Sequence, residues 1–76
     1  MRYFLRIDSE PGTIARVLAP FAVSGHALRV LQLRPTARGG VFLVAEFENL
    51  DELRAALITE KLRQMPCVIR ARLAIR

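Results

Sequence analysis

Along this chain the spacing of apolar side chains switches back and forth between a period of two and a period near 3.6. That order limits the possible folds more than any other feature. Tyr3, Leu5 and Ile7 alternate, as one face of a strand does. After Pro11-Gly12, the residues Ile14, Val17, Leu18 and Phe21 recur at i, i+3, i+4 and i+7, which is one stripe of a helix. Residues 28–34 and 41–47 return to strand character, separated by a Pro- and Gly-containing stretch, 35–40, that suits a hairpin loop. Leu50, Leu53, Leu57 and Ile58, continued by Leu62 and Met65, make a second helical stripe, and residues 67–76 alternate again.

The boundary residues agree with these periods. Asp8 or Ser9 can supply an oxygen to the first helix's free amides, Pro11 suits its first turn and Gly25 its end. Pro20 predicts a kink or an early last turn, because proline has no N–H and crowds the carbonyl four residues back. Asn49 is expected to cap the second helix, with Glu52 completing a capping box. Asp51 and Glu52 in its first turn and Lys61 and Arg63 in its last match the helix dipole, and Pro66 ends it. Residues 41–47 are apolar on both faces up to Glu46, which predicts a central strand. In the last strand Cys67, Ile69, Ala71, Leu73 and Ile75 are expected on one face, and Val68, Arg70, Arg72, Ala74 and Arg76 on the other. The expectation is one α+β domain over residues 1–76, a ferredoxin-like β-α-β-β-α-β sandwich with a four-stranded antiparallel sheet and two helices on one face.

A chain of 76 residues buries only about 60% of the surface it exposes when unfolded. With 53% hydrophobic residues, some apolar side chains must stay near the surface, which favours a homodimer, a higher homo-oligomer or a larger partner. The formal net charge is +5, and Lys61 is the one basic residue that is not arginine. The arginines form no run and no tail, which argues against a nucleic-acid partner. Cys67 is the single cysteine, so no internal disulfide can form, and a reducing compartment fits. No apolar run approaches the roughly 18 residues a membrane span needs, and no leader is visible at the N-terminus. The expectation is a cytoplasmic, soluble protein with no membrane partner.

Most catalytic constellations are absent from the pattern. His26 is the only histidine, and one His with one distant Cys makes no metal site. Neither a Walker-type loop nor a glycine fingerprint follows a strand, so no catalytic residue, cofactor or metal is expected. The stretch Asp8, Ser9, Glu10, Pro11, Gly12, Thr13 and Ile14 has more to offer. It leaves a strand and opens a helix, so it presents backbone N–H groups at the positive end of a helix dipole. Gly12 allows close backbone approach, Ser9 and Thr13 add hydroxyls, and Asp8 and Glu10 suit an ammonium group. An amino-acid zwitterion carries both charges. The plain alternative is that Pro11-Gly12 only makes the turn.

With Asp8-Ser9-Glu10-Pro11-Gly12-Thr13-Ile14 opening a helix, Ser24-Gly25-His26 ending it, Phe42 to Phe47 as third strand and Met65-Pro66-Cys67-Val68 before the last, the chain resembles an ACT domain along its whole length. The resemblance implies a small regulatory domain, not an enzyme, that binds an amino acid and controls a metabolic enzyme. It also implies side-by-side pairing, with ligand held between the Ser9–Ile14 loop and the neighbouring chain. Ligand-binding members usually carry Asp or Asn two residues before the proline; here Ser9 stands there, with Asp8 just before it. A free-standing chain of this length is similar to the short small subunits of acetolactate synthase, which act on a separate catalytic subunit in branched-chain amino-acid biosynthesis. Two other readings are open. One is an assembly domain with no small ligand. The other is an RNA-binding sheet with Tyr3 or Phe4 stacking and Arg6, Arg70, Arg72 and Arg76 meeting phosphates.

Overall fold

The computed structural model describes residues 1–23, 25–48 and 51–74. It shows β1 (Arg2–Ile7), α1 (Thr13–Val23), β2 (Leu28–Pro35), β3 (Val41–Phe47), α2 (Glu52–Arg63) and β4 (Val68–Ala74). The strands form one sheet in the order β2-β3-β1-β4, with every neighbouring pair antiparallel. This is the ferredoxin-like arrangement, and β3 lies centrally. Ser24, Asn49, Leu50, Ile75 and Arg76 lie outside the described residues.

Tyr3, Leu5 and Ile7 of β1 and Leu43, Ala45 and Phe47 of β3 point toward the helices and are buried. Val17 and Phe21 of α1 and Ala55, Ile58 and Leu62 of α2 close over them. The Tyr3 ring meets Phe21 edge-on, with centroids 4.9 Å apart, and Phe21 stacks on Phe47 at 3.9 Å. The Tyr3 hydroxyl donates to the Ala55 carbonyl oxygen at 2.8 Å, and the Thr59 hydroxyl donates to the same oxygen at 2.7 Å. The deepest polar group of the sheet is thus satisfied by the backbone of α2.

The first helix runs three residues past Pro20. Beyond Val23 it is closed off by Gly25, which has φ +74 and whose N–H donates to the Ala22 carbonyl, while the His26 N–H donates to that of Phe21. Those two bonds make a Schellman ending, which needs the positive φ that glycine tolerates. The hairpin loop closes through Thr36, whose N–H donates to Gly40 O at 2.9 Å and whose hydroxyl accepts from Gly40 N at 3.1 Å.

Three expectations are corrected. The cap of α2 is Asp51, whose carboxylate accepts from Arg54 N at 2.8 Å. The buried stripe of α2 is Ala55, Ile58, Thr59 and Leu62, whereas Leu53 and Leu57 are 73% and 61% exposed. The reason is size: Ala55 lets the helix lie close enough for Tyr3 to reach its carbonyl, and a leucine there would hold it off. Finally, Ile69 does not face the core but is 62% exposed, and Val68 is buried in its place. The β1–β4 register steps from Arg6↔Arg70 to Ile7↔Val68, so Ile69 is the extra residue of a bulge.

Candidate functional site

The β1–α1 turn is held by its own side chains. Asp8 N donates to Cys67 O at 3.0 Å, tying the turn to the start of β4. One Asp8 carboxylate oxygen accepts from the Glu10 N–H at 3.1 Å and from the Thr13 hydroxyl. That is an Asx-turn, in which a short carboxylate stands in for a backbone carbonyl. Thr13 is buried, so its hydroxyl depends on Asp8. Gly12 adopts φ +84, a conformation that L side chains resist, although the space around its Cα is open. Of the seven residues the sequence marks for ligand binding, Asp8 and Thr13 are thus engaged with each other. Ser9, Glu10, Pro11 and Gly12 are exposed, and Ile14 is at the margin of exposure on the first turn of α1. Asp8→Ala is expected to lower stability by about 1–2 kcal/mol, since the turn loses its acceptor and a buried hydroxyl is orphaned. The shift in urea midpoint checks this.

A second feature was not marked from sequence. β2 is an edge strand, and Leu28, Leu31 and Leu33 pair with Phe47, Ala45 and Leu43. Those partners are buried under the helices, so the three leucines face the same way, yet all three are exposed. The helices roof β3, β1 and β4 and leave β2 bare. The Leu31-x-Leu33 alternation was a visible signal, but the extent of the helical roof was not. Arg29 adds to the obscurity, because the register steps from Leu28↔Phe47 to Val30↔Glu46 and leaves it as a bulge residue.

The opposite face of the sheet is open and basic. It carries Arg2, Phe4 and Arg6 from β1, Phe42, Val44 and Glu46 from β3, Arg34 from β2, and Arg70 and Arg72 from β4, as the registers require. Phe4 and Phe42 stack with centroids 6.4 Å apart and planes 28° apart, and the Arg72 guanidinium carbon sits 5.2 Å from the Phe4 centroid. Arg2 pairs with Glu46 at 2.9 Å and holds that carboxyl below its usual range. Tyr3, by contrast, is buried on the helix side and is not on this face.

Among the described residues, no three His, Cys, Asp or Glu side chains gather into a metal-binding group. Cys67 is a buried free thiol. No helix among the described residues is long and apolar enough to cross a membrane.

Neither a protein-family model nor a curated protein matches the chain. Among solved structures it is similar to the C-terminal domain of the MgtC protein from Mycobacterium tuberculosis, with a TM-score of 0.66 at 17% identity. The match covers 93% of this chain and 82% of that one. At that identity the likeness concerns the fold, and the chain is a small ferredoxin-like α+β domain.

Proposed function

We propose that this chain is a non-catalytic regulatory domain of the ACT type that works as a side-by-side homodimer joined along β2. The observation that carries the reading is the bare leucine row, Leu28, Leu31 and Leu33, on an unroofed edge strand. An exposed edge presents unpaired N–H and C=O groups, and apolar side chains beside it make it a template for another strand. A second copy laid antiparallel along β2 pairs those groups, builds one eight-stranded sheet and covers both leucine rows.

In this reading the β1–α1 turn holds an amino acid between the copies. Asp8 shapes the turn, Glu10 receives the ammonium group, and the backbone around Gly12 receives the carboxylate. Valine, leucine and isoleucine are the first ligands to try, and the controlled enzyme is a separate catalytic subunit in the same compartment, the cytoplasm. The rival is the same dimer with no small ligand, which Ser9 in place of a carboxylate or amide favours.

Light scattering across a concentration series tests the pairing. The parent is expected to be a dimer, and Leu31→Lys combined with Leu33→Lys a folded monomer, because two ammonium groups cannot be buried against their symmetry mates. A parent that stays monomeric at its highest soluble concentration sinks the reading. A thermal-shift series with single amino acids then separates the two versions. A ligand at a hundred times its dissociation constant adds about 2.7 kcal/mol, a rise in Tm of about 10 °C or more in a domain this small. A dimer that responds to no amino acid leaves the assembly version.

A further inference from the structure

We propose that the open face of the sheet binds single-stranded nucleic acid, with bases stacked on Phe4 and Phe42 and phosphates held by Arg6, Arg34, Arg70 and Arg72. This does not rest on the pairing above, since the leucine row lies on the other side of the sheet.

The sequence scatters these arginines, and the pleat collects them. Arg6 is directly opposite Arg70 on one side and Phe42 on the other, Arg34 is opposite Phe42, and Arg72 is opposite Phe4. Among the described residues, none of the four arginines forms an ion pair; Glu46 on this face is taken by Arg2, and Glu48, just past the end of β3, by Arg29. Phe4, Arg6, Phe42, Arg63, Arg70 and Arg72 line a shallow hollow of about 460 Å³ into which no carboxylate projects. Like charges directly opposite on neighbouring strands destabilise a sheet. The Arg6–Arg70 pair is therefore a cost in the free protein that an anion lying between them removes.

The occupant follows from charge and shape. A second copy is disfavoured, because face-to-face packing sets four arginines against four. A single small anion answers only part of the charge, which spreads over three strand spacings from β2 to β4, about 14 Å. A duplex offers phosphates but hides the flat faces of its bases. A single strand offers a chain of phosphates and free base faces to stack on two aromatic rings, flanked by guanidinium groups.

The test is fluorescence anisotropy of a short labelled single-stranded RNA of mixed sequence, with its duplex as comparison. Four phosphate contacts predict a log–log salt slope of about −3, so that affinity falls about 50-fold between 50 and 200 mM salt. Phe4→Ala and Phe42→Ala should each weaken binding about tenfold at fixed salt while leaving that slope unchanged. Arg6→Gln with Arg70→Gln should make the slope shallower by about 1.4. These four side chains are on the solvent side of the sheet; should an alanine variant melt early, the glutamine pair still reads the site through the slope. No binding at 50 mM salt overturns the proposal. So does a duplex held as tightly as the single strand, an affinity unmoved in folded Phe4→Ala and Phe42→Ala, or binding to phosphatidylserine vesicles without binding to RNA.

Discussion

Tyr3→Ala is expected to lower the stability of this domain by about 4 kcal/mol, the usual cost of deleting a buried aromatic ring. A chain of 76 residues has roughly 4–11 kcal/mol in total, so the variant should be marginally folded at 25 °C. The ring packs edge-on against the stacked Phe21 and Phe47 pair, with centroids 4.9 and 6.4 Å away, so its loss leaves one side of that pair without a partner. Tyr3→Phe keeps the ring and loses only the hydroxyl. It should cost about 1 kcal/mol, because the Ala55 carbonyl retains the Thr59 hydroxyl as a donor. Burial raises the Tyr3 pKa above its ordinary value near 10, against a smaller opposing effect of the neighbouring Thr59 hydroxyl. Below that value both folded and unfolded chains keep the phenol proton, so the group adds no pH dependence. Above it the unfolded chain ionises first, and stability falls as pH rises through the folded pKa. Urea melts of the parent should show this decline at high pH, and Tyr3→Phe should lack that part of it. A Tyr3→Ala variant melting within a few degrees of the parent would mean that the core does not centre on this ring.

The second large effect is expected on the buried face of α2. Ala55→Asp places a carboxylate at a fully buried position with no cation to meet it, which should cost about 3–5 kcal/mol. The same change at Leu53 or Leu57, both largely exposed, should leave the melting temperature within a few degrees. The buried carboxyl would have a raised pKa, so Ala55→Asp should regain stability as pH falls through the acid range. If Leu53→Asp unfolds the protein and Ala55→Asp does not, the helix has the phase its leucines suggest and not the one described.

That contrast shows where the sequence is legible. Element order, the central place of β3, the Pro11-Gly12 turn and the Gly25 ending are local or periodic facts, and all can be read directly. The phase of α2 cannot, because counting large apolar residues overlooks Ala55 and Thr59, which are buried for their small size and for a hydroxyl that satisfies a carbonyl. The turn could be marked as special, but not that Asp8 and Thr13 consume each other's hydrogen bonds, since that depends on a side-chain rotamer. The leucine row of β2 shows in the sequence as the Leu31-x-Leu33 alternation, and part of the arginine face as Arg6, Arg70 and Arg72 on the first and last strands, but neither is legible there as a surface. What makes them surfaces is the register of four strands and the reach of two helices, which are properties of the assembled sheet.

The bulge at Ile69 has a consequence for how this strand should be compared with others. Downstream, Arg70 to Ala74 pair with β1 without a break, and upstream Val68 meets Ile7. The chain therefore carries one letter more here than the ladder reads. An alignment to a relative with a regular fourth strand must open its gap at Ile69. Placed anywhere later, the gap would exchange the arginines and the core residues of β4 column by column and erase the likeness.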